Sequence, residues 1–161
     1  MTIKSAVDYC SSALKDVSRS FAISIPMMGD KIMEPVMVAY LEARILDNFE
    51  DEEGLVTLTN EERREKIDQV VRIICDPEDK SVKECVKELA KSAKTTISNP
   101  CYQNLVLNMD RILELHKTFD KTAKDALKKW LTEMSVGMKK FLDIEIKTFK
   151  QLRQMNMLSV F

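Results

Sequence analysis

Turn-forming residues are scarce: there are three glycines and four prolines in 161 residues. A β-sandwich or barrel needs a turn roughly every ten residues, so an all-β fold is excluded. Histidine is nearly absent, with His116 alone, and Cys10, Cys75, Cys85 and Cys101 show no C-x-x-C spacing. That argues against a Cys/His zinc site and against a serine or cysteine triad. An excess of charge is missing too. With 25 basic and 26 acidic residues the net charge is −1, and nothing draws the chain to nucleic acid. The start, Met1-Thr2-Ile3-Lys4-Ser5, lacks the apolar run of a signal peptide. No stretch approaches the roughly 18 apolar residues of a transmembrane segment. These absences predict a cytoplasmic protein with reduced thiols.

What is present suits a helical core. Hydrophobic residues make up 45% and charged residues 32% of the chain, a globular composition. The length corresponds to one domain, residues 1–161. Apolar periodicity is helical almost throughout. Val7, Cys10, Ala13, Leu14 and Val17 share a face in a first helix. A short mixed stretch from Ser18 to Pro26 follows. A long helix is predicted from Asp30 to Glu50, with Pro35 near its start, where a missing N–H is tolerated.

Thr59 and Glu62 form a capping-box pattern that opens a helix to about Ile74, and Asp76-Pro77 closes it. Val82, Cys85, Val86, Leu89 and Ala93 mark another helix. Asn99-Pro100 opens one carrying Leu105, Met109, Ile112, Leu113 and His116, and a last helix is predicted from Lys121 to Arg153. The expected class is all-α, an antiparallel helix bundle. The chain closes on apolar residues, Met157-Leu158-Ser159-Val160-Phe161, without a helix stop signal. This predicts a fold cut part-way.

The informative segment runs from Tyr40 to Asp51. On a helix Tyr40, Arg44, Asp47 and Asp51 are separated by 4, 3 and 4 residues and form one stripe. Asp47 and Asp51 repel each other at i,i+4 spacing, which costs a few tenths of a kcal/mol unless a cation bridges them. Magnesium takes one or two carboxylates and completes its octahedron with water and phosphate oxygens. Arg44 is placed to contact the same phosphate, with Glu50 beside the stripe. The bland reading is a solvated acidic helix end. Against it stand the apolar surroundings (Val36, Met37, Val38, Leu41, Ile45, Leu46) and the upstream run Ser18-Arg19-Ser20-Phe21.

A third segment, Trp130 to Phe141, places Trp130, Met134, Gly137, Met138 and Phe141 on one helical face. A glycine inside a helix costs about 1 kcal/mol against alanine. A close helix crossing or the wall of a ligand pocket would justify it.

Together these segments, in this order and spacing, resemble the squalene/phytoene synthases, and more closely their squalene branch. The resemblance spans about Asp8 to Gln151. It implies an isoprenoid-synthase helix bundle and a head-to-head prenyltransferase acting on farnesyl-type diphosphates in squalene or carotenoid biosynthesis. It implies Mg²⁺ as cofactor and NADPH where the product is reduced. On the matching positions, Asp47, Glu50 and Asp51 would hold metal and Arg19 and Arg44 would contact diphosphate. Ser18 and Ser20 would donate hydrogen bonds, Tyr40 and Phe21 would border the reacting carbons, and Met134 and Gly137 would wall the prenyl chain. A lipid product implies peripheral membrane contact.

The family carries a second aspartate-rich motif later than anything found here. Asp110 and Glu114 read instead as a solvated helix edge. The chain is thus expected to be the N-terminal portion of a synthase. It would be inactive alone and would need its C-terminal half or an oligomer partner, with Met134, Met138, Phe141, Met155 and Met157 left uncovered. The alternatives are a non-catalytic helical binding module and another isoprenoid synthase, such as a terpene cyclase.

Overall fold

The computed structural model describes residues 2–50 and 58–142. Among these residues the backbone forms eight α-helices and one 3-10 turn, without a strand. The helices are α1 (Ile3–Val17), α2 (Arg19–Ser24), α3 (Asp30–Glu50), α4 (Asn60–Cys75), α5 (Val82–Thr96), α6 (Pro100–Leu107), α7 (Met109–His116) and α8 (Lys121–Phe141), with the 3-10 turn at Ile25–Met27.

Side-chain caps explain most of the boundaries. The Thr59 hydroxyl accepts from Glu62 N at 3.3 Å, and the Glu62 carboxylate accepts from Thr59 N at 2.8 Å, closing the expected capping box on α4. Asp120 Oδ1 accepts from Ala123 N at the start of α8 (2.8 Å).

Four expectations are corrected or bounded. The mixed stretch after Ser18 is helical, because the Ser18 hydroxyl caps α2 by accepting from Phe21 N at 3.2 Å. The helix expected from Asn99 through His116 is two helices. The Asn108 amide bonds Asn104 O (3.0 Å) and Oδ1 (2.8 Å), and this local side-chain competition breaks the run into α6 and α7. Pro35 is the sixth residue of α3, past the first turn, so its missing N–H removes an intrahelical bond. Helix α8 is described to Phe141, and its expected extension to Arg153 lies outside the described residues.

Helix α3 sits at the centre and touches α1, α4, α6, α7 and α8. It buries Val38, Leu41, Ile45, Leu46 and Phe49 completely. The same core takes in Ala6, Cys10, Ala13 and Leu14 from α1, Ile67, Val70 and Ile74 from α4, and Ile112, Leu113 and Leu115 from α7. All four cysteines are free thiols. No helix among the described residues is long and apolar enough to cross a membrane.

Candidate functional site

One side of α3 forms a wall of an open apolar groove of about 760 Å³, with α8 opposite and α2 at one end. Tyr40 and Ala43 line it from α3, Phe21 from α2, and Trp130 and Met134 from α8. Phe21 and Tyr40 pack ring on ring, centroids 4.6 Å apart and tilted by 39°. The two residues that the resemblance assigns to the reacting carbons thus lie side by side in the groove. Phe21 remains 47% and Trp130 63% exposed at the rim.

One turn after Tyr40 the chemistry changes. The Arg44 guanidinium lies over the Tyr102 ring of α6, 4.2 Å from its centroid, and Nη1 meets Asp47 Oδ2 at 3.4 Å. Arg44 and Asp47 are half-buried, with 21% and 33% of their side chains exposed. Burial opposes the arginine charge, but Tyr102 and Asp47 outweigh it and raise its pKa. The stripe therefore meets two neighbours along its length. Tyr40 turns to the groove and Arg44 to α6.

The end of α3 is held from α4. Arg63, itself buried, donates from Nη1 to the Glu50 carbonyl at 3.2 Å, satisfying one of the helix's terminal carbonyls. Asp51 lies outside the described residues, as do Met155 and Met157. Among the upstream residues, Arg19 and Ser20 are exposed, while Ser18 serves as the α2 cap.

Helix α8 presents its faces differently from the expected one. Leu127, Leu131, Ser135 and Met138 are the buried stripe, so Met138 belongs to the core and is not left uncovered. Phe141 is 38% exposed. A Cβ built on Gly137 meets no described atom within 4 Å. The glycine therefore does not serve a close helix crossing within the described residues.

The buried pair Glu42 and His116 was not foreseen. Glu42 Oε1 and His116 Nδ1 are 2.7 Å apart, with 0% and 2% of their side chains exposed. They join α3 to α7. Glu42 Oε2 has no hydrogen-bond partner among the described residues. Burial pushes the Glu42 carboxyl up from its ordinary value, and the histidine only partly offsets this. The same burial, with Glu42 nearby, pushes the Cys10 thiol up to about 12. The available signal was Glu42 itself, an acid on the stripe formed by Val38, Leu41, Ile45 and Phe49. Asp110 is exposed and Glu114 pairs with Lys117 at 3.0 Å, the solvated edge expected of them.

Residues 14–154 match the sequence pattern of the squalene/phytoene synthases. The chain belongs to the squalene/phytoene synthase family. Among solved structures, it is similar to TcSQS in its complex with the ligand E5700, with a TM-score of 0.71 at 20% identity. That match covers 89% of this chain and 37% of TcSQS, so the family fold is shared over a part of that protein's length. No curated protein matches the sequence. The family match takes in α2 through α8 and both helices that wall the groove.

No cluster of three His, Cys, Asp or Glu side chains occurs among the described residues. Magnesium does not require such a cage, because one or two carboxylates suffice when phosphate oxygens and water complete the shell. A half-exposed Asp47 beside Arg44 fits that substrate-bridged mode.

Proposed function

We propose that this member of the squalene/phytoene synthase family binds a prenyl diphosphate of the farnesyl type through Mg²⁺, for head-to-head condensation of the squalene-synthase kind. The reading rests on one observation. A single helix, α3, carries the wall of an apolar groove at Tyr40 and Ala43 and a half-exposed Arg44–Asp47 pair one turn later. A prenyl diphosphate has the same two-part character, a long apolar chain and a compact anionic head.

In this reading Asp47, Glu50 and Asp51 hold the metal, and Arg44 and Arg19 neutralise the diphosphate. Bound Mg²⁺ supplies Lewis-acid polarisation of the leaving group. Tyr40 and Phe21 offer ring faces to positive charge developing at the allylic carbons. Met134 and Trp130 cover the chain and keep water from it. The exposed Ile23, Met27 and Ile32 beside the groove suit peripheral contact with a lipid surface, where such substrates partition. NADPH enters only if the product is reduced, which product analysis with and without it decides.

The contact already made between Arg44 and Asp47 favours a second reading, a self-satisfied ion pair in a binding module without chemistry. Titration calorimetry with farnesyl thiodiphosphate separates the two. Binding is expected with Mg²⁺ and not in EDTA, and Asp47→Asn or Asp51→Asn should remove the metal dependence, because a neutral amide is a poor partner for a hard cation. Equal binding with and without the metal favours the second reading.

A further inference from the structure

Tyr102 has no place in the sequence motifs, yet it makes the closest aromatic contact to the arginine of the site. We infer that Tyr102 is a positioning residue: its ring is the platform that holds the Arg44 guanidinium flat, with Nη1 on Asp47 and the Nη end turned to a diphosphate. The inference rests on the diphosphate reading above and adds the part that α6 plays in it.

Three observations carry it. First, the guanidinium is fixed on two sides at once, by the Tyr102 ring at 4.2 Å and by Asp47 at 3.4 Å. A planar cation held on its face and at Nη1, with Nε buried, can turn only its Nη end to a ligand, where a charge-assisted contact to phosphate forms. Second, the ring is itself firmly placed. Asn99 Oδ1 accepts from Cys101 N (2.9 Å) and Tyr102 N (3.4 Å), and Pro100 fills the first position of α6. The Gln103 amide donates to the carbonyls of Ala93, Lys94 and Ile97, tying the start of α6 to the end of α5. Third, Arg44 Nε is buried without a hydrogen-bond partner among the described residues. Orientation is therefore supplied by stacking and by the Asp47 contact, and not by a bond to the stem of the guanidinium.

A cation over an aromatic face is attracted to the ring quadrupole, most strongly where water is partly removed. Lysine, a point charge on a flexible stem, would gain little from the same platform.

The test uses the whole chain, Mg²⁺ and farnesyl thiodiphosphate. Tyr102→Leu should weaken binding five- to tenfold, whereas Tyr102→Phe, which keeps the ring, should stay within twofold of the parent. In an Arg44→Lys background, Tyr102→Leu should add less than a twofold loss. A Tyr102→Leu variant that binds like the parent, or that loses as much again in the Arg44→Lys background, overturns the inference.

A second readout needs no ligand. Because Arg44 Nε–H is shielded from water, its ¹H–¹⁵N signal should be observable, shifted by the ring current and assigned by its loss in Arg44→Lys. Tyr102→Leu should move it toward the ordinary arginine position and Tyr102→Phe should not. If it does not move in Tyr102→Leu, the platform is absent and the inference is wrong even where ligand binds. If it moves while the parent chain binds no thiodiphosphate with Mg²⁺, the platform stands but the diphosphate reading fails, and the positioning role falls with it.

Discussion

Glu42 and His116 occupy a place where neither would survive alone. Leaving one member of a buried hydrogen-bonded pair without its partner costs about 1–3 kcal/mol, while replacing both with apolar residues of similar volume is often neutral or better. His116→Leu is therefore expected to lower the free energy of unfolding by an amount in that range, and Glu42→Met with His116→Phe to recover most of it. Urea denaturation measures both. A His116→Leu variant as stable as the parent would show that Glu42 is held by something else.

The pH dependence has an unusual sign for a carboxylate. Because burial raises the Glu42 pKa in the folded state, the folded protein keeps a proton that the unfolded chain releases. Its contribution to stability is full below the ordinary glutamate value. It declines as pH rises from there to the elevated folded value and is flat above it. Glu42→Gln should remove that slope from a series of denaturation midpoints.

At the scale of the element, α8 offers the simplest substitution. Gly137 is the seventeenth residue of that 21-residue helix, and a Cβ there meets open space. Gly137→Ala should stabilise the fold by about 0.5–1 kcal/mol, the ordinary helical difference between the two residues, seen as a melting temperature a few degrees higher. If the open space is where a prenyl chain lies, the same variant should bind farnesyl thiodiphosphate more weakly. An unchanged or lowered melting temperature would count against the open-space geometry.

The elements themselves were largely legible. Helix α3 begins at the residue that its apolar run and N-terminal flank predict and is described through Glu50, because those signals are local. The Thr59–Glu62 box is local in the same way. The break at Asn108 was missed because an apolar stripe runs through it unchanged, and only the Asn108 amide competing for the Asn104 carbonyl interrupts it. The faces of α8 were displaced by one position, since periodicity assigns a stripe but not its partner. The site was legible where it lies along one helix, Tyr40 to Asp47. It was illegible where it crosses between helices: Glu42 meets His116 across 74 residues, and Arg44 meets Tyr102 from another element. Spacing rules carry no information about such pairs.

Over the whole molecule, stability comes from helix packing around α3, with no disulfide among four free thiols to add to it. Ties at the edges join α4 to α8, through the Lys139–Asp68 ion pair and through Asn60 Nδ2 donating to the Leu142 carbonyl at 2.6 Å. They tie the groove's outer wall to α4, which packs on the same helix that carries Arg44.

The outer wall also carries the chain's sole tryptophan. Trp130 stands 63% exposed at the groove rim, with Lys129 Nζ 4.7 Å from its ring centre. Intrinsic emission excited at the indole band therefore reports on one position alone. Emission from the ligand-free chain should be red-shifted and readily quenched by iodide, which the neighbouring lysine attracts. A prenyl chain entering the groove should shift it to the blue and protect it from the quencher, while inorganic pyrophosphate, which has no chain, should leave both unchanged. A blue shift of equal size with pyrophosphate would mean that the tryptophan senses the charged end and not the groove. The groove's occupancy can thus be followed by light from a single residue, without label or substitution.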